Sequence, residues 1–279
     1  LIEHMAFNGT KKYPNKEIDN YLSSIGLELG SDYNASTGFE TTNYKLTIPT
    51  DDLTKIDKGL NILSEMVGYA SLSDEAFDKE KKVVEEEWRS GLGVSQRLYD
   101  EYQKLLFKKR KFAKRKPIGD IKIIRNFSNE DARRFYKDWY RPDLMGIVVV
   151  GDFDLKFVQK KINKHFGRLI NNNNRPLPNA LLPKYKETIF LNQKDEEQEQ
   201  INFSIINKNE GIKLNSVRNY RLKLIDNLIT SIINLRFDKL DEKGIKNFNS
   251  AGVYSSKLTS KTDAYSIYGS LKENKLQDG

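Results

Sequence analysis

The regular patterning of this chain fails between residues 171 and 183, where four consecutive asparagines and three prolines, Pro176, Pro178 and Pro183, interrupt every period of apolar residues. Proline removes a backbone donor and asparagine favours turns, so the stretch reads as an interdomain linker rather than as helix or ladder. The break gives an expected first unit over 1–168, a linker over 169–190 and the start of a second unit over 191–279. A chain of 279 residues is long enough for one large domain or two ordinary ones.

Helical and strand periods both occur before the break. Asn15 is placed to cap a helix with Ile18, Tyr21, Leu22 and Ile25 on one face and Gly26 at its end. Residues 27–49 change to strand period, with Tyr44, Leu46 and Ile48 alternating and Gly30, Asn34 and Gly38 marking turns. Leu53, Ile56, Leu60, Leu63 and Val67 then form a helical stripe. Ser73 caps a long helix reaching about residue 107, with a break expected at Gly91 and Gly93. Ser128 opens a helix burying Ala132, Phe135, Tyr136 and Trp139, and residues 145–150 read as a central strand. A helix after Asp154 packs Leu155, Val158, Ile162 and Phe166.

Beyond the linker, a strand is expected near 201–206 and an amphipathic helix over 216–240, with Leu222, Ile225, Ile229, Ile232 and Leu235 inward. Two strand-like runs follow at 252–258 and 264–271. The sum is an α+β architecture, antiparallel strands with helices packed on one face of each sheet.

Several function classes drop out. The absence of cysteine excludes disulfides, thiolate metal sites and thiol nucleophiles. No apolar run approaches membrane-spanning length. Net charge is +8, and seven of the nine residues at 108–116 are basic. That run carries one aromatic, Phe112, and lacks the spaced stacking residues of a single-strand binder, so it reads as a solvated loop without a nucleic-acid partner. The glycines form no phosphate-binding pattern. Tyr254, Tyr265 and Tyr268 read as a sheet face, and His165 as a structural or surface residue at a helix C-terminus.

What remains is chemistry near the start of the chain. Glu3-His4 matches the last two residues of the inverted zinc-protease pattern H-x-x-E-H, whose first His would stand immediately before Leu1. Two His at i and i+4 reach one ion from a single helical face. Some eighty residues on, Glu80 and Glu87 lie seven apart, almost two turns, with Val83 and Val84 beside them. Carboxylates on a partly apolar face need a cation or strong hydrogen-bond donors.

The stretch 3–10, Glu-His-Met-Ala-Phe-Asn-Gly-Thr, followed by Tyr13-Pro14, resembles the M16 family of zinc metallopeptidases, which includes pitrilysin, insulin-degrading enzyme and the mitochondrial processing peptidase. Asn34-Ala35-Ser36-Thr37 with Thr42 and Tyr44 resembles that family's edge-strand segment, and Glu80 with Glu87-Trp88-Arg89 its distal glutamate helix. Arg115-Lys116-Pro117-Ile118-Gly119 and Trp139-Tyr140-Arg141-Pro142 through Gly151-Asp152 are similar to two later landmarks. Phe7-Asn8-Gly9-Thr10 and Glu86-Glu87-Trp88-Arg89 are closest in flavour to its PqqL-like bacterial branch.

The resemblance implies two tandem M16-type modules, both incomplete here, the first bearing Zn2+ and the second metal-free. It implies a zinc-dependent endopeptidase acting on peptides or unfolded segments through metal-activated water. His4 and Glu87 would be zinc ligands, Glu3 the general base, and Glu80 a carboxylate orienting the site. Asn34 and Ala35 would offer backbone groups to a peptide added as an extra strand. The His4 to Glu87 gap, 83 positions (87 − 4), implies a small insertion relative to the commonest family spacing.

The expected partners are a peptide substrate and further M16 modules, in cis or as a partner subunit; residues 1–279 alone would be inactive. The compartment stays open, periplasmic or cytoplasmic for a bacterial chain. The alternative is a catalytically inactive M16-like subunit that binds peptides or scaffolds an assembly. The residue preceding Leu1 separates the two.

Overall fold

The computed structural model describes residues 1–171, 173–185, 187–243 and 248–272. Two compact units emerge: Leu1–Gly91 with Arg115–Leu177, and Leu92–Lys114 with Pro178–Gly279. This division differs from the expected ranges 1–168, 169–190 and 191–279 chiefly in giving residues 92–114 to the second unit. The boundary at Leu177 falls inside the expected linker, of which residues 172 and 186 lie outside the described part.

In the first unit, in chain order, the elements are α1 (Ile2–Met5), α2 (Glu17–Ser24), β1 (Tyr33–Thr37), β2 (Thr42–Leu46), α3 (Leu53–Gly68) and α4 (Asp74–Ser90). After α5 (Val94–Leu106), which belongs to the second unit, come α6 (Ile121–Asn126), α7 (Asn129–Trp139) and α8 (Leu155–Phe166). Starts and stops follow the sequence signals. Asp52, Ser73, Ser128 and Asp154 each accept a backbone N–H in the first turn of α3, α4, α7 and α8. Gly91 ends α4 and Gly93 precedes α5, so the expected long helix is broken where the two glycines stand. Asn15 is not the cap of α2: it sits at φ 56, in the left-handed region, and Lys16 precedes the first helical residue.

Three clusters hold the unit. Ala6, Ile18, Leu22, Leu27, Tyr33, Ile62 and Met66 join α2 and the hairpin to α3. Ile56, Leu60 and Val158 clamp α3 to α8. Met5, Phe77 and Ala132 bring together α1, α4 and α7. Met5 and Phe77 are both 0% exposed, so the short α1, which could not persist alone, is pinned onto α4 by burial.

The expected central strand at 145–150 is not one. Among the described residues this run pairs with no strand, and the unit's two strands pair only with each other. Val148 and Val150 are 87% and 90% exposed, while Ile147 and Val149 are less so. The period of two survives, but a strand is made by ladder partners, and the described residues place none alongside.

The second unit contains a three-stranded antiparallel sheet, ordered β3 (Ile201–Glu210), β5 (Thr262–Leu271), β4 (Phe248–Thr259), with α9 (Val217–Glu242) against β4. Asn234 fixes α9 there: its amide donates to the Val253 carbonyl at 3.0 Å and accepts the Val253 N–H at 2.9 Å. The five residues expected inward on α9 are all exposed, because apolar residues run round the whole helix and β4 covers only part of it.

His165 turns out to be structural, at 6% exposure. Its Nε2 lies 2.5 Å from Asp57 Oδ1 and its Nδ1 faces Asn61 Nδ2 at 3.2 Å. Asn61 Oδ1 in turn accepts from Tyr13 at 2.7 Å and Lys12 at 2.5 Å. Burial would raise the Asp57 carboxyl, but hydrogen bonds from Lys161 and His165, with the Lys161 and Lys164 charges, hold it at about 2. A carboxylate depressed on folding contributes stability above its unfolded value, about 3.9, and loses it as the pH falls through about 2. Thermal melts should show an acid limb between those values that Asp57→Asn flattens. An unchanged limb would take Asp57 out of the acid response.

Candidate active site

The burial of Met5 against Phe77 turns the preceding residue, His4, toward α4. There it meets both carboxylates that the seven-residue spacing places on one face. His4 Nδ1 is 3.0 Å from Glu80 Oε2, and His4 Nε2 is 3.7 Å from Glu87 Oε2. Glu80 is nearly enclosed, its side chain 10% exposed, whereas Glu87 reaches outward at 56%. Val84 shares the buried face, while Val83 is exposed.

This arrangement fixes the imidazole. A carboxylate accepts only, so Nδ1 carries the proton it gives to Glu80, and in the neutral ring Nε2 keeps its lone pair on the Glu87 side. A carboxylate behind a ligating histidine is the usual means of setting ring orientation and basicity around a metal.

The donor set fits zinc on distance. Nitrogen and oxygen ligands at about 2.0–2.2 Å in tetrahedral geometry stand roughly 3.4 Å apart, close to the 3.7 Å between His4 Nε2 and Glu87 Oε2. Among the described residues no group of three or more His, Cys, Asp or Glu could hold a metal, so these two donors need a third from elsewhere.

Glu3 faces the hairpin, not α4: the Thr37 hydroxyl donates to Glu3 Oε2. β1 and β2 pair in the register Thr37–Thr42, Ser36–Asn43, Ala35–Tyr44, Asn34–Lys45, Tyr33–Leu46. The loop closes through the Gly38 N–H to the Thr41 carbonyl at 2.8 Å, and the far end through Thr47 N–H to the Asp32 carbonyl at 2.8 Å. Antiparallel alternation then turns the backbone of Asn34 and Ser36 toward β2, and that of Tyr33, Ala35 and Thr37 toward the outer edge. Of the two residues expected to offer backbone groups to a peptide, only Ala35 therefore faces that edge. Asn34 contributes its side chain there, accepting the Ala35 N–H at 2.9 Å.

Two features escaped the sequence reading. Thr37 lies in the edge-strand segment, and its bond to Glu3 depends on the hairpin register. Tyr44 and Tyr140, 96 positions apart, share a hydroxyl contact at 3.0 Å; burial, with the neighbouring Tyr140 and Glu3, raises the Tyr44 hydroxyl far above its ordinary value.

The chain matches the family described as Insulinase (Peptidase family M16) over residues 1–110, and the Peptidase M16 inactive domain over residues 126–278. It is 31% identical over 271 residues to the Probable zinc protease PqqL of Haemophilus influenzae, covering 94% of this chain and 28% of that protein. The Zinc protease PQQL-like of Arabidopsis thaliana is 31% identical over 263 residues, with the same coverage, 94% and 28%. The crystal structure of the periplasmic protease PqqL from Escherichia coli superposes with a TM-score of 0.86 at 24% identity, over 99% of this chain and 31% of that one. The chain thus spans 28% of the length of the two curated relatives. It belongs to peptidase family M16, with PqqL-like zinc proteases among its relatives.

Proposed function

We propose that this chain carries the zinc-bearing part of an endopeptidase that hydrolyses peptides or unfolded segments. The observation that carries the reading is His4 bridged between Glu80 and Glu87, one nitrogen on each carboxylate. His4 and Glu87 would hold zinc together with a histidine immediately before Leu1. Zinc held there would lower the pKa of a water toward about 7 and polarise a scissile carbonyl. Glu80 keeps the His4 ring from turning, and Glu3 takes the water's proton and returns it to the leaving amine.

The outer edge of β1 gives the substrate its place. A peptide laid antiparallel there would meet the Ala35 carbonyl and, once the Asn34 side chain releases it, the Ala35 N–H. Main-chain pairing asks little of the substrate's sequence, which suits cleavage of varied, extended segments. The second unit would act as a metal-free module, with the remaining modules completing the enclosure in cis or as a partner subunit. A catalytically inactive subunit is the other reading, but it would have no need to keep both carboxylates against one imidazole.

Metal removal tests the proposal. The full-length protein stripped with a chelator should lose hydrolysis of an unfolded peptide and regain it when zinc is returned. Turnover that persists in the metal-free protein would end the reading.

A further inference from the structure

A line of hydroxyl groups leads to Glu3. Thr37, the last residue of β1, donates to Glu3 Oε2. Thr42, opposite it in β2, has its Oγ1 at 3.1 Å from Thr37 Oγ1. Apart from this pair, the Tyr140 hydroxyl lies 3.0 Å from that of Tyr44. Tyr140 in turn stacks on Tyr136 at 4.6 Å between ring centres, and the Tyr136 hydroxyl donates to the Val67 carbonyl at 3.0 Å.

Counting protons orders this line. An ionised carboxylate only accepts, and each hydroxyl has one proton to give. Thr37 gives its proton to Glu3, so its oxygen must accept from Thr42. Both threonine hydroxyls point one way, toward the carboxylate, and donors aligned in this manner polarise one another. Thr37 and Thr42 form a non-hydrogen-bonded pair of the hairpin, the kind in which facing side chains approach most closely.

We propose that Thr37 and Thr42 are positioning residues for Glu3: their hydroxyls hold Oε2 in place and leave Oε1 to receive the proton of the attacking water. The inference rests on the reading of Glu3 as general base. It gives the hairpin a second task, setting the angle of the base as well as presenting its edge to substrate.

Steady-state kinetics of the full-length protein test it with Thr37→Val, Thr37→Ser, Thr42→Val and the Thr37→Val/Thr42→Val pair. Valine keeps the branched shape that suits a strand and removes only the hydroxyl. Thr37→Val should lower kcat on the order of 100-fold, the scale of a misplaced catalytic group, with KM and zinc content unchanged. Thr37→Ser should recover to within a few-fold of the parent. The double variant should be no slower than Thr37→Val alone, because Thr42 acts through Thr37.

Undiminished kcat in Thr37→Val, a serine variant as impaired as the valine, or additive losses in the pair would each overturn the proposal. Should Thr37→Val not fold, Thr42→Val carries the test, with kcat expected to fall about 10-fold at constant KM and an unchanged kcat counting against it. Glu3→Gln separates the two levels. If it is inactive while Thr37→Val turns over normally, the positioning role alone falls; if Glu3→Gln is itself active, the general-base reading and this inference fall together.

Discussion

Glu3→Gln in the full-length protein is expected to abolish peptide hydrolysis while leaving zinc in place. Glutamine keeps the shape of the side chain, and its carbonyl oxygen still accepts the hydrogen bond that Thr37 gives to Glu3. What it loses is the capacity to take a proton. A positioned general base contributes roughly 10²- to 10⁴-fold to a rate, so kcat should fall by at least that factor. The metal should stay, because His4, Glu80 and Glu87 keep the contacts they make with one another. Single-turnover assays beside elemental analysis separate the two effects. Residual turnover near the parent's would remove Glu3 from its role, whereas loss of zinc together with activity would make it a ligand.

The convergence of His4, Glu80 and Glu87 was more legible in the sequence than the sheets around it, for a physical reason. A catalytic zinc site demands few residue types at spacings set by helix geometry. The family resemblance singled out Glu80 and Glu87, whose spacing of seven puts them on one helical face, and the structure brings both to His4 across 76 and 83 positions. Strands depend on partners that need not be nearby. Residues 145–150 carry an apolar, β-branched run, yet no described strand lies beside them. The apolar residues of α9 show a related failure, since periodicity reports which face could be buried and not whether anything covers it.

Register was the other blind spot. Asn34 and Ala35 look alike as neighbours in a motif, but a period of two turns their backbones to opposite sides. The link from Thr37 to Glu3 follows from the same register. So does the one from Tyr44 toward Tyr140, which also requires the end of α7 to arrive beside β2. Local signals fared better where a single residue decides the outcome. The side-chain caps at Ser73, Ser128 and Asp154 stand where the sequence placed them, and the helix breaks at Gly91 and Gly93. Asn15 took the left-handed conformation open to asparagine instead of capping α2.

The largest effect on metal content should come from Glu87→Ala, and comparison with Glu80→Ala decides which carboxylate is the ligand. Both glutamates touch the same imidazole, at different nitrogens: Glu80 at Nδ1, nearly enclosed, and Glu87 at Nε2, mostly exposed. An ion needs an open position for water, which favours the exposed carboxylate as ligand and the enclosed one as the group that orients the ring. Losing an orienting carboxylate typically costs metal affinity 10- to 100-fold, in order of magnitude. Removing a ligand from a three-ligand site should cost more, leaving the Glu87→Ala protein without zinc after dialysis while Glu80→Ala retains a measurable fraction. His4→Ala should match Glu87→Ala, because it deletes one donor and leaves Glu80 with no imidazole to hold. Competition against a chromophoric chelator would rank the three. If Glu80→Ala proves the emptiest, the roles of the two carboxylates are exchanged; if none of the variants changes zinc occupancy, the metal is held elsewhere and the convergence on His4 is only an ion-pair network.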